Sequence, residues 1–171
     1  MEKLVSGFQS QVSMIFERPK PARNLFLCET ECIESLPSVV RPGSERYCLL
    51  LAMDARLIEA GTLSRIASML AGSGLVYFCA WGPDCDRVHD LFDEGFLEAN
   101  LALTGNDVIM TTSHVDESLG EALWYFLHST FPTEALEKGC SSWIVACIGN
   151  KEWSGEIRRI AHDVVYERPT D

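Results

Sequence analysis

Tyr47-Cys48-Leu49-Leu50-Leu51-Ala52-Met53, "YCLLLAM", decides the fold. No position carries a charge or an amide, and the run stops at Asp54. Successive side chains of a strand point to opposite faces, so a strand that is apolar throughout needs cover on both faces. Parallel sheets flanked by helices supply that cover. Downstream, Leu57 to Ala71 places Ile58, Ile66, Met69 and Leu70 at helical spacing, and Gly72 and Gly74 supply a stop. Leu75 to Ala80, "LVYFCA", is a second apolar run. After it Val88, Leu91, Phe92 and Phe96 form one helical stripe, and Gly82-Pro83 suits a start with proline at the first helical position. Asp107 to Thr111 reads as a third strand, and Leu119, Ala122, Leu123, Phe126 and Leu127 as the next helix, ended by Pro132. Trp143 to Ile148, "WIVACI", is a fourth strand, and Lys151 to Ala161 a last helix with Trp153, Ile157 and Ile160 turned inward.

Apolar strands alternating with helices read as right-handed βαβ units. The pattern predicts an α/β fold over residues 46–171: a single three-layer domain, doubly wound in the Rossmann or flavodoxin manner, with a mainly parallel sheet of four to five strands. The expected order of the four apolar runs is 2-1-3-4. Residues 1–45 read as an N-terminal extension, partly irregular around Pro19, Pro21, Pro37 and Pro42, with an edge strand expected at Asn24 to Cys28.

A chain of 171 residues is one domain's worth, and 47% hydrophobic against 23% charged residues is enough for a core. Its net charge of −11 repels phosphate backbones and anionic bilayers, so neither nucleic acid nor membrane is an expected partner; a protein with a basic surface is. Such acidity also serves solubility alone. Seven cysteines are an odd number, and Cys48, Cys79 and Cys147 sit inside apolar runs, where a reduced thiol packs as a small hydrophobe. With no signal-peptide h-region at the start and no apolar run near ~20 residues, a cytoplasmic location is expected. The chain has no GxGxxG after its first strand and no GxxxxGK[ST], so the usual phosphate cradles are missing and no cofactor is expected; without GxSxG the usual nucleophile elbow is missing too.

In open α/β sheets ligands bind beyond the carboxyl ends of the strands, where the strand order reverses. Order 2-1-3-4 puts that point between the first and third strands. The strand exits carry Asp54; then Trp81, Asp84, Cys85, Asp86 and His89; then Thr111, Thr112, Ser113, His114, Asp116 and Glu117; then Asn150. The opposite ends carry Gly72-Ser73-Gly74, Thr104-Gly105-Asn106 and Gly139-Cys140-Ser141-Ser142. The candidate catalytic residues are therefore His114, Glu117, Asp116 and Asp54, with Trp81, Asp84, Cys85, His89 and Thr112 as candidate pocket walls. Local duties compete: Asp116 or Ser113 can cap a helix, Ser118 and Glu121 have capping-box spacing, and His114 reads equally as a surface histidine with no task. Cys85 at a helix start is a nucleophile by position, but Asp84 and Asp86 oppose its thiolate. Cys28-x₃-Cys32 can join Cys85-x₃-His89 in a zinc site only if the extension folds over this edge. Neither pair is CxxC, and no metal is assigned.

The segments Trp81 to Asp90, "WGPDC…HD", and Thr111 to Trp124, "TTSHVDESLGEALW", resemble an uncharacterised bacterial family of small α/β domains of unknown function, over about residues 46–150. That resemblance implies no activity, and the leading 45 residues look outside it. A fainter likeness, to nucleoside deoxyribosyltransferase-type folds, implies an acid at a helix start after a parallel strand, a place Asp116 or Glu117 would fill. The expected function is an acidic protein-binding or regulatory accessory domain of a bacterial system, immunity-type or defence-associated. The alternative is a small hydrolase or transferase acting on a nucleotide-like or other polar small molecule at the switch point.

Overall fold

The computed structural model describes residues 1–8, 22–99 and 108–166. The elements are β1 (Glu2–Phe8), β2 (Arg23–Thr30), α1 (Leu36–Val39), β3 (Arg46–Ala52), α2 (Ala60–Ala71), β4 (Leu75–Trp81), α3 (Cys85–Ala99), β5 (Met110–His114), α4 (Leu119–His128), α5 (Glu134–Glu137), β6 (Cys140–Ile148) and α6 (Lys151–Tyr166). All the described strands share one mixed sheet in the order β1-β2-β6-β3-β4-β5, and among them only β1 is antiparallel to its neighbour.

Alternation along β3 builds the layers. Tyr47, Leu49 and Leu51 join a core with Leu36 of α1, Leu63, Ile66 and Leu70 of α2, and Val88, Phe92 and Phe96 of α3. Cys48, Leu50 and Ala52 join the opposite core with Leu119, Leu123 and Phe126 of α4 and Ile157 and Ala161 of α6. The mainly parallel α/β architecture is therefore the one the sequence predicts, with six strands among the described residues rather than four or five.

The strand order corrects the expectation. The four apolar runs lie in the order 3-2-1-4, not 2-1-3-4. A strand between two neighbours and two helical layers is apolar along its buried stretch, as Tyr47 to Ala52 of β3 and Trp143 to Ile148 of β6 are. In β5, Met110 is exposed, Thr111 to Ser113 are half-buried and only His114 is buried, a composition suited to an edge. The order reverses between β3 and β6, and β5 lies at the rim of the sheet.

Asn24 to Cys28 lie within β2, which pairs with β1 on one side and β6 on the other, so this is not an edge strand; the edge is β1. Pro37 falls in α1 rather than in irregular chain. Gly82-Pro83-Asp84 forms a turn before α3, whose first residue is Cys85. Two helices also end elsewhere than expected: α4 stops at His128, before Pro132, and α6 continues to Tyr166. Asp107, Thr104-Gly105-Asn106, Pro19 and Pro21 lie outside the described residues.

Candidate functional site

Strands β2, β3, β4, β5 and β6 run in one direction, so their exits share a rim. Among the described residues, two clefts open on it. The first, about 420 Å³, lies where β4 and β5 end and is lined by Trp81, Gly82, Pro83, Asp84, Cys85, Asp86, His114, Val115, Asp116 and Glu117. The second, about 370 Å³, lies at the β3/β6 switch point and takes in Asp54 and Asn150. The rim residues are thus divided: Trp81, Asp84, Cys85, His114, Asp116 and Glu117 come together, Asp54 stands in the other cleft, and neither His89 nor Thr112 is among the lining residues of either.

Backbone geometry shapes the first cleft. Gly82 has φ +113°, and a Cβ there would collide with the Met53 carbonyl oxygen, so only glycine lets β4 leave this close to β3. Asp84 and Asp116 also adopt left-handed conformations, at φ 67° and 58°. Aspartate tolerates that region better than most residues, yet such strain persists only where the surroundings enforce it. Arg87 does so for Asp84, donating from Nε to Asp84 Oδ2 at 2.6 Å and from its Nη atoms to the Ala55 and Ile58 carbonyls. At the β5 exit the Trp81 indole N–H donates to the Glu117 carbonyl at 2.9 Å. Ser118 and Glu121 close the expected capping box at the start of α4, and the Ser118 N–H holds the Glu121 carboxyl below its usual range.

His114 is buried, its side chain 2% exposed. Its Nδ1 meets Glu117 Oε2 at 2.9 Å, its Nε2 meets Thr112 Oγ1 at 3.3 Å, and Tyr125 packs on the ring at 4.7 Å. A carboxylate partner demands a proton on Nδ1, while a hydroxyl can either donate to Nε2 or accept from it. The ring is satisfied on both sides and holds Glu117 at the cleft mouth. Thr112 thus acts on the site through His114.

Cys85 is buried, and that burial pushes its thiol up, opposed in part by the His114 backbone N–H and assisted by the Asp86 charge. Asp86 accepts from Ser113 Oγ at 2.7 Å. His89 is half-buried on α3 with Nδ1 3.1 Å from Asp90. Asp54 is exposed and chelated by Arg56, which holds its carboxyl below the usual range. Cys28 lies in β2 and Cys85 follows β4, three strand positions apart or roughly 14 Å. Among the described residues no group of three or more His, Cys, Asp or Glu is placed to hold a metal ion.

Sequence reasoning missed Val115 in the first cleft and most of the second: Glu31, Ile33, Glu34, Met53, Ile58, Ile148, Gly149 and Trp153. Reading Asn24 to Thr30 as an interior parallel strand is the signal that would have found Glu31 to Glu34, because its exit then falls on the same rim.

Fold and rim define the class: a mainly parallel α/β domain with clefts at its strand exits. A family model described as "Domain of unknown function (DUF7684)" matches residues 25–164, so the chain belongs to that family. The match begins inside β2, twenty-one residues earlier than the resemblance at residue 46 and within the segment expected to lie outside it. No curated protein and no solved structure matches the chain. Among the described residues no helix is long and apolar enough to cross a membrane.

Proposed function

We propose that this chain is an acidic recognition domain, a regulatory or immunity-type accessory component, that receives a cationic side chain of a basic protein partner in the β4/β5 cleft. One observation carries the reading: Asp84, Asp86, Asp116 and Glu117 line the cleft together with a single indole, Trp81, and Arg87, which pairs with Asp84, lies outside that lining. An aromatic face beside carboxylates suits guanidinium or ammonium. Left-handed Asp84 and Asp116 hold carboxylates in this lining at a conformational cost. Catalysis has less support, because both His114 nitrogens are engaged and burial works against a Cys85 thiolate.

Exposed ion pairs contribute about 0.2–1 kcal/mol each, and Asp84 is already paired with Arg87, so the remaining carboxylates hold a lone side chain no tighter than roughly millimolar. Tighter binding requires a wider partner surface. All seven cysteines are free thiols, which supports a reducing, cytoplasmic setting.

The test is calorimetric titration with a lysine- and arginine-rich decapeptide, comparing two charge-matched double variants. Asp116→Asn/Glu117→Gln is expected to weaken binding about tenfold, and Glu94→Gln/Glu98→Gln, on the outer face of α3, less than about twofold. Equal losses from both pairs would mean that only net charge is sensed.

A further inference from the structure

The second cleft shares no lining residue with the first. We propose that it binds a ligand of its own: a small organic cation with an apolar body, an alkyl- or arylalkyl-ammonium or guanidinium. It occupies the place where open α/β sheets take ligands, because β3 and β6 are neighbours whose following helices pack on opposite faces and leave a crevice between their exits. Its volume, about 370 Å³, lies at the lower end of the ~300–1,000 Å³ typical of small-molecule sites.

The lining selects the ligand. Ile33 and Met53 are buried, and Ile58, Ile148 and Trp153 half-buried, giving an apolar floor. Glu31, Glu34 and Asp54 are exposed at the mouth. The Gly149 N–H donates to the Thr30 carbonyl at 2.8 Å, which ties the β2 exit to the β6 exit and keeps the Glu31–Glu34 segment over the crevice. A nucleotide or other phosphate would need the N–H groups at the start of α6. Three of those groups are already used: Asn150 Oδ1 accepts from the Glu152 and Trp153 N–H groups at 3.1 and 3.0 Å, and the Asn150 carbonyl accepts from the Ser154 N–H at 3.2 Å. With those three donors occupied and three carboxylates exposed at the mouth, the field favours a cation while the floor favours hydrocarbon. Arg56 already engages Asp54, and an incoming cation competes with it.

The test follows backbone amides of the labelled full chain during titration with 2-phenylethylammonium, with 2-phenylethanol as neutral isostere and 3-phenylpropionate as anion. The ammonium is expected to shift Ile148, Gly149 and Trp153 saturably, to bind at least about fivefold tighter than the alcohol, and to leave the carboxylate without measurable binding. Glu34→Gln weakens it several-fold, and Arg56→Ala strengthens it. Acetyl-arginine amide shifting the same amides identifies a peptide side chain as the natural source; binding of the free amine alone identifies a metabolite-like amine. Absence of saturable shifts up to about 10 mM, or equal binding of the alcohol, overturns the proposal. Shifts confined to Val115–Glu117 also overturn it, while supporting the first cleft.

Discussion

Trp81 stands edge-on to Trp153, ring centroids 4.9 Å apart, and each indole lines a different cleft, so this contact is the wall between them. Trp81 is also pinned from the other side by its N–H to the Glu117 carbonyl. Trp81→Phe keeps a ring in the wall and removes that hydrogen bond. The expected cost is about 1 kcal/mol in urea unfolding, together with weaker cation binding in the β4/β5 cleft. A variant with unchanged stability and binding would show that the indole N–H does not position Glu117.

Gly82 sets how closely β4 leaves β3. Gly82→Ala forces a left-handed alanine and drives its Cβ into the Met53 carbonyl. The expected loss is at least about 2 kcal/mol, with amide shift changes reaching both Met53 and Cys85. Gly61, which has open space around it, is the control: Gly61→Ala in α2 is expected to be neutral or stabilising by up to about 1 kcal/mol.

Much of this could be read from the chain before its fold was seen. Continuous apolarity marked β3, β4 and β6, and helical stripes marked α3 and α4, because burial leaves its period in the sequence; of the stripe read for α2 only Ile66 and Leu70 are buried in the helix, since Ile58 precedes it and Met69 is exposed. Strand order was less accessible, since periodicity records how deeply a strand is buried and says nothing of its neighbours. Polar Thr111 to Ser113 did hold a clue that β5 is an edge. β1 was missed because, among its side chains described, Val5 is the one buried hydrophobic residue, too little for a pattern. The shared rim was legible from the strands' common direction; its division into two clefts was not, because that depends on Trp81 meeting Trp153 across β3 and β6.

Arg23, at the opposite end of the sheet, is buried, donates to the Leu127 carbonyl at 2.7 Å, and lies over the rings of Trp143 and Phe131 at 4.2 and 4.8 Å. Lysine keeps the charge but loses the planar stack. Arg23→Lys is expected to cost about 2–4 kcal/mol, read from the urea midpoint. A loss under about 1 kcal/mol would show that charge alone matters there.

His128 is buried at the end of α4, and burial, aided by the Arg23 charge, holds its pKa below the ordinary 6.5. Between the lowered folded value and 6.5 the unfolded chain binds the extra proton, so stability is complete above about pH 6.5 and declines as pH falls below it. In His128→Gln that part of the decline should vanish from the stability–pH curve. A curve of unchanged slope would assign the decline to other groups.

The most direct test is a map of where a blocked arginine tripeptide perturbs the backbone amides of the full chain. A cationic side chain seated between Asp84, Asp86, Asp116 and Glu117 should shift Gly82, Val115, Asp116 and Glu117 saturably, with the shifts abolished in Asp116→Asn/Glu117→Gln. Shifts scattered over the acidic surface, or unaltered in that variant, would contradict recognition at the β4/β5 cleft.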